Sequence, residues 1–218
     1  MRHPLWENPE VIGIGREPMG AHFHIYGNSQ DAHNQTGEQT TSLEGQWTFT
    51  GYDSPEKVPQ DWLSIQQDGA EGRAISVPHL WTMDDAESDQ PIYTNVRMPF
   101  RHEPPRTPQH NPTGIYRCWF DVEELDGRTL INLEGIENCY EIALNGEWLG
   151  FNKDARLPAQ FELTSRLRRG RNLLALKVLK FSDASYIEDQ DQWWHGGIHR
   201  PVTLTRRPDV FIRDVYAK

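Results

Sequence analysis

Between Ser182 and Arg200 the chain reads SDASYIEDQDQWWHGGIHR, and this stretch gathers the residue types that recognise sugars. Glu188, Asp189 and Asp191 bring carboxylates, which accept charge-assisted hydrogen bonds from hydroxyls. Trp193 and Trp194 bring indole rings, which cover the apolar face of a sugar ring. A solvated acidic loop beside two core tryptophans would have the same composition, so the stretch alone leaves both readings open. Glu188 and Asp189 could shift each other's pKa as neighbouring acids. Adjacent residues on an extended chain point to opposite sides, however, which argues against a general acid/base pair. His195 and His199 lack a third group at ligand spacing, so they make a poor metal site. Gly196-Gly197 reads as a tight turn.

Such side chains need a rigid support, and the chain around them reads as short strands. Leu43, Trp47 and Phe49 share one face of a strand over Ser42–Phe49. Ala74–Val77, Ile92–Val96, Gly114–Val122, Arg128–Leu133, Tyr140–Leu144, Glu147–Phe151, Phe161–Leu163, Asn172–Leu179, Pro201–Arg206 and Val210–Val215 complete the set. Asn145-Gly146 is a type I′ hairpin signal, and Arg168-Arg169-Gly170 reads as a turn. Residues 1–41, rich in proline, glycine and polar side chains, read as an extended N-terminal arm outside the core. The connection from Pro78 to Thr113 is long enough to be functional or to hide short strands. No helical period lasts beyond a turn or two. The expected fold is all-β: an antiparallel β-sandwich of jelly-roll type over residues 42–218.

The 218 residues suit one large all-β unit, which commonly runs to about 200–250 residues. A net charge of −10 with acids spread along the chain disfavours a nucleic-acid partner. No apolar run approaches the roughly 20 residues that span a bilayer. The N-terminus lacks the apolar core of a signal peptide. Cys118 and Cys139 sit in apolar runs that suit buried free thiols, so the expected location is cytoplasmic.

Trp6-Glu7-Asn8-Pro9, Pro91-Ile92-Tyr93-Thr94-Asn95-Val96, Asn111-Pro112-Thr113-Gly114, Asn145-Gly146 with Trp148 and Gly150, Arg156-Leu157-Pro158 and Ser182–Arg200 occur in one order along the chain. The ordered set resembles the N-terminal sugar-binding domain of the glycoside hydrolase family 2 β-galactosidases. The resemblance implies a jelly-roll sandwich packed against an immunoglobulin-like domain and a catalytic TIM barrel. In that family two barrel glutamates perform retaining hydrolysis of terminal β-D-galactosides, with a pair spacing of about 5–5.5 Å. A TIM barrel alone takes about 250 residues, so this chain is too short to hold one beside the sandwich and should not be catalytic alone. Magnesium, by the same resemblance, belongs to the parent's barrel.

Two residues are carried over from the resemblance. Asn95 corresponds to an asparagine that hydrogen-bonds the galactosyl group; otherwise it would read as a turn residue bonding its own backbone. Asp191 corresponds to an aspartate that contacts the same group and helps ligate sodium, whose other ligands lie outside this chain. Trp193 and Trp194 read as core or interdomain packing, and Arg200 as one half of an ion pair. Lys153 stands where some relatives carry an amide at a peripheral magnesium, and its cation would repel the metal, so neither that site nor Asp183 as its ligand is carried over. The arm resembles a segment that runs along subunit contacts, which implies a homo-oligomeric parent. The competing reading is a free-standing, lectin-like carbohydrate-binding module.

Overall fold

Core-facing side chains come from every second position of the strands, so each sheet buries one face against the other. The computed structural model describes residues 4–21, 23–37, 39–67, 72–84 and 89–218. Residues 1–3, 22 and 38 of the expected arm and 85–88 of the long connection lie outside the described residues. In chain order the strands are β1 (Gly13–Ile14), β2 (Thr40–Ser42), β3 (Gly45–Tyr52), β4 (Arg73–Val77), β5 (His79–Leu80), β6 (Ile92–Tyr93), β7 (Thr113–Val122) and β8 (Arg128–Leu133). There follow β9 (Ile136–Glu137), β10 (Cys139–Leu144), β11 (Glu147–Lys153), β12 (Ala159–Glu162), β13 (Gly170–Leu179), β14 (Trp193–Trp194), β15 (Gly197–Ile198) and β16 (Val202–Arg207). The helices are short: α1 (Ser29–Asn34) and α2 (Ser185–Glu188). Among the described residues no helix is long and apolar enough to cross a membrane.

The larger sheet runs β1-β11-β10-β13-β7-β3-β4 and the smaller β12-β8-β16-β2, all pairs antiparallel. One apolar cluster joins them: Trp47, Tyr116, Ile142, Leu176 and Val178 from the large sheet meet Ile131, Phe161, Val202 and Leu204 from the small one. The sandwich read from the sequence is therefore the observed fold. β13 is buried almost throughout because both its faces are covered. Leu174 and Leu176 point into the sandwich, while Ala175 packs outward beneath Val58 and Trp62. Asn145 and Gly146 both take positive φ, 54° and 87°, as the hairpin signal requires.

Three strand expectations differ from the fold. Ser42–Phe49 is two strands, because the chain breaks at Leu43 and resumes at Gly45, whose φ is +132°. Ile92–Val96 keeps only Ile92–Tyr93 as strand. Val210–Val215 forms no strand: it follows Pro208, finds no sheet partner, and leaves Val210 and Tyr216 90% and 82% exposed. The arm carries α1 and is tethered to the sandwich. Gly13–Ile14 adds to the edge of the large sheet at β11, and Leu5, Trp6 and Val11 cover Cys139, Phe151 and Leu179 on its outer face. The long connection hides β5 and β6, of which β5 pairs with β15 in a small three-stranded sheet. Gly196 must stay a glycine there, since a Cβ would fall inside the Trp81 indole.

Candidate functional site

The ladder between β6 and β14 pairs Tyr93 with Trp193 and Ile92 with Trp194. It sets the segment carrying Asn95 beside the segment carrying Asp191. Tyr93 spans the gap: its hydroxyl donates to Asp191 Oδ1 at 2.6 Å. That bond, burial and the Asp191 charge raise the Tyr93 pKa, while nearby Asn95 pulls it the other way. Asn95 and Asp191, 96 positions apart in number, thus lie on the two segments that this ladder joins, and both are exposed. Trp193, 53% exposed, stacks tilted on Tyr93 with centroids 5.5 Å apart. Trp194 is buried, donates Nε1–H to Thr94 Oγ1 at 2.8 Å, and packs on Phe181. The two tryptophans therefore divide: one is core, the other lies open beside the two polar side chains.

Behind this surface the supports are polar and paired. Lys180, whose side chain is fully buried, donates to Asp89 Oδ1 and to the Gln90 carbonyl. Asp89 also accepts from Trp81 Nε1 at 2.8 Å. This pairing pins the start of the segment that becomes β6. Burial lowers the Lys180 pKa, and Asp89 opposes the shift. On the other side α2 ends at Glu188, whose carboxylate accepts from Asn138 Nδ2 at 2.7 Å and from the Ala155 amide at 3.1 Å. Burial raises it to about 7. Glu188 therefore faces a different set of partners from Asp189, one of whose carboxylate oxygens is sealed without a partner among the described residues.

His195 Nδ1 shares a 2.8 Å hydrogen bond with Thr82 Oγ1. His199 has neither ring nitrogen bonded among the described residues, and burial lowers its pKa to about 4. Arg200 corrects its expectation: its guanidinium bonds the Arg156 and Glu134 carbonyls rather than a carboxylate. Among the described residues no three of His, Cys, Asp or Glu gather where a metal could sit. Asp191, with one oxygen given to Tyr93, suits a single carboxylate ligand to a cation completed from elsewhere. Lys153 Nζ bonds Asp183 Oδ1 at 2.6 Å and the Asn8 carbonyl at 2.8 Å. Its ammonium takes the oxygens that a peripheral cation would need, so the residues there do not fit a metal. Both cysteines are free; burial drives the Cys118 thiol up to about 12 and raises Cys139 as well.

Sequence reasoning singled out Asn95 and Asp191 but passed over Tyr93, Thr94, Asp89 and Lys180. A signal for Tyr93 was present, because residues 93 and 95 fall on the same side of an extended segment. Lys180 left none, since a lysine at the end of an apolar run usually reaches solvent.

The domain as a whole has counterparts among known proteins. Residues 40–208 match the family model described as glycosyl hydrolases family 2, sugar binding domain. The chain belongs to that family. This sugar-binding domain is 40% identical to a β-galactosidase of Yersinia enterocolitica over 215 residues, covering 97% of the chain but 20% of the relative. It is also 40% identical to the Vibrio cholerae serotype O1 β-galactosidase, covering 98% of the chain and 21% of that protein. The domain thus spans about a fifth of the length of the relatives it matches. Among solved structures, Bacteroides uniformis β-glucuronidase 2 superposes with a TM-score of 0.58 at 21% identity, over 78% of this chain and 18% of that one. A β-glucuronidase from glycoside hydrolase family 2 superposes with a TM-score of 0.56 at 25% identity, over 76% of this chain and 17% of that one. The first of these is a likeness of fold alone, and it supports the all-β sandwich.

Proposed function

We propose that this sugar-binding domain forms one wall of the galactose pocket of a retaining β-galactosidase, with Asn95 and Asp191 contacting the galactosyl hydroxyls. The observation that carries the reading is the β6–β14 ladder, which sets the Asn95 segment beside Asp191, itself bonded to the Tyr93 hydroxyl next to the open Trp193 ring. An amide that donates and accepts, next to an anionic acceptor, matches a vicinal pair of sugar hydroxyls. Asp191 would give one oxygen to a sodium ion shared with the sugar, the remaining ligands coming from other domains. Bond cleavage, and the magnesium that accompanies it, would belong to a barrel with its own pair of glutamates. The tethered arm, running over the outer face of the large sheet, would reach subunit contacts in an oligomeric parent. Two free thiols suit a reducing, cytoplasmic setting.

Asn95→Ala and Asp191→Ala in the complete enzyme test the wall directly. Each should lower kcat/KM on a β-galactoside at least several-fold, and unchanged kinetics would refute the assignment. Calorimetric titration of the 218-residue chain with galactose, with and without sodium, addresses the lectin alternative. An open half-site lacks most of the contacts of a closed pocket, so no saturable binding below millimolar concentration is expected. Tight binding by the chain alone would favour the lectin.

A further inference from the structure

Away from Tyr93, the outer face of the small sheet carries a guanidinium with no hydrogen-bond acceptor among the described residues. Arg207 closes β16 and faces outward, in register with Arg128 of β8. Like charges directly opposite on an antiparallel pair repel. Arg128 is matched: it bonds Glu162 at 2.6 Å and Glu17 at 3.3 Å. Arg207 is not. It is 7% exposed, its Nε is sealed from solvent, and none of the described residues accepts a hydrogen bond from its side chain. Its guanidinium lies over the Phe211 ring at 5.0 Å and the Phe23 ring at 5.7 Å, two aromatic contacts that fix its plane. Burial lowers its pKa, Arg128 adds to the shift, Glu17 opposes it, and Arg213 pushes down again. Leaving a buried cation unpaired is expensive, and a planar guanidinium so held presents the fork that a carboxylate fits.

The same side chain lines two adjoining clefts of about 280 and 460 Å³ between Glu17, Pro18, Met19, Gly20, Ala21, Phe23 and His24 on one side and the small sheet on the other. Met19, Leu130, Leu157 and Phe211 make part of the wall apolar, while Asn132 and Glu134 make part of it polar. An inorganic ion would leave the apolar part uncovered; an acid with a short carbon body would fill it. We propose that this cleft binds an organic carboxylate, with Arg207 as its principal ligand. That carboxylate is a free small acid or the acidic side chain of another polypeptide segment. The chemistry is the same for both.

The test is thermal unfolding of the 218-residue chain in sodium acetate against sodium chloride at equal ionic strength. Acetate well above half-saturation should raise the midpoint by about 2–4 °C over chloride. The rise should persist in Arg171→Met, which removes a guanidinium stacked on Trp119 of the other sheet, and vanish in Arg207→Met. Without acetate, Arg207→Met should melt no lower than the parent, because it exchanges an unpaired buried charge for an apolar side chain. Equal gains in parent and Arg207→Met, or no difference between acetate and chloride, would overturn the proposal. Should Arg207→Met not fold, the parent's arginine Nε–Hε NMR signals decide, assigned with Arg207→Lys. Acetate must move the Arg207 signal, and a stationary signal overturns the site. Succinate and N-acetylglutamate methylamide, titrated in parallel, separate the two sources by which saturates at lower concentration.

Discussion

Lys153→Met should be the most damaging single change on the large sheet's outer face. The Lys153 ammonium and the Asp183 carboxylate are 2.6 Å apart with side chains 5% and 8% exposed, so neither reaches water. Removing the lysine strands a buried carboxylate, a loss of about 3–5 kcal/mol for such a pair. It also deletes the bond to the Asn8 carbonyl, which helps hold residues 4–12 over Cys139, Phe151 and Leu179. The Asp183 amide still donates to the Trp6 carbonyl at 2.8 Å, so the segment keeps one tether and the total should stay near about 4 kcal/mol. Urea denaturation reads this as a midpoint lower by about 1–2 M. The double variant Lys153→Met/Asp183→Leu removes both charges, and should recover most of the loss because a buried ion pair contributes little against a packed apolar pair. Cleavage within residues 4–12 by a low dose of protease should accelerate in the single variant and slow again in the double. A single variant that loses less than about 1 kcal/mol, or a double no better than the single, would refute the reasoning.

Tyr93→Phe removes the hydroxyl that orients Asp191 while leaving the ring on Trp193. An exposed bond of this kind contributes modestly, so kcat/KM of the complete enzyme on a β-galactoside should fall by roughly 3–10-fold with little change in melting temperature; steady-state kinetics matching the parent would count against it. Glu188 and His199 should pull stability in opposite directions with pH. Glu188, raised by burial to about 7 from 4.5, keeps a proton that the unfolded chain releases, so its contribution is full below 4.5 and lost as pH rises through 7. His199, lowered by burial to about 4 from 6.5, contributes fully above 6.5 and loses that contribution as pH falls through 4. Relative to the parent, acidification from pH 6.5 to 4.5 should therefore weaken Glu188→Gln and strengthen His199→Leu, each by on the order of 1–3 kcal/mol. Urea midpoints at three pH values check this, and parallel trends in all three proteins would contradict it.

The second half of the sandwich was legible because its strands satisfy local rules. Asn145-Gly146 specifies its turn, and the apolar runs at Arg128–Leu133 and Asn172–Leu179 are long enough to be buried strands. The first half was harder to read, since its elements are set by what they cover. Trp62 lies in no strand and is buried against Ile115 and Ala175; Gly13–Ile14 is a strand only because the β11 edge is there to accept it. Val210–Val215 shows the reverse, having strand composition without a neighbour to pair with. At the site, Asn95 and Asp191 came through motifs, and the alternation of an extended segment put Tyr93 on the side of Asn95, whereas its contact with Asp191 needed the pairing register of two short segments far apart in sequence. The unpaired state of Arg207 depends on where every nearby acceptor points, which composition does not record.

The two-pair ladder that brings Tyr93 to Asp191 closes a loop spanning 98 positions, whereas β7 and β13 pair along ten residues each. So few bonds cannot hold that junction as firmly as the central strands hold each other, and it should open and reclose many times without global unfolding. Amide deuteration ought to be quick at Tyr93 and Trp193 and slow at Leu174 and Leu176. A sugar seated across both segments would act as a clasp, and part of its binding energy would go into quieting that local breathing.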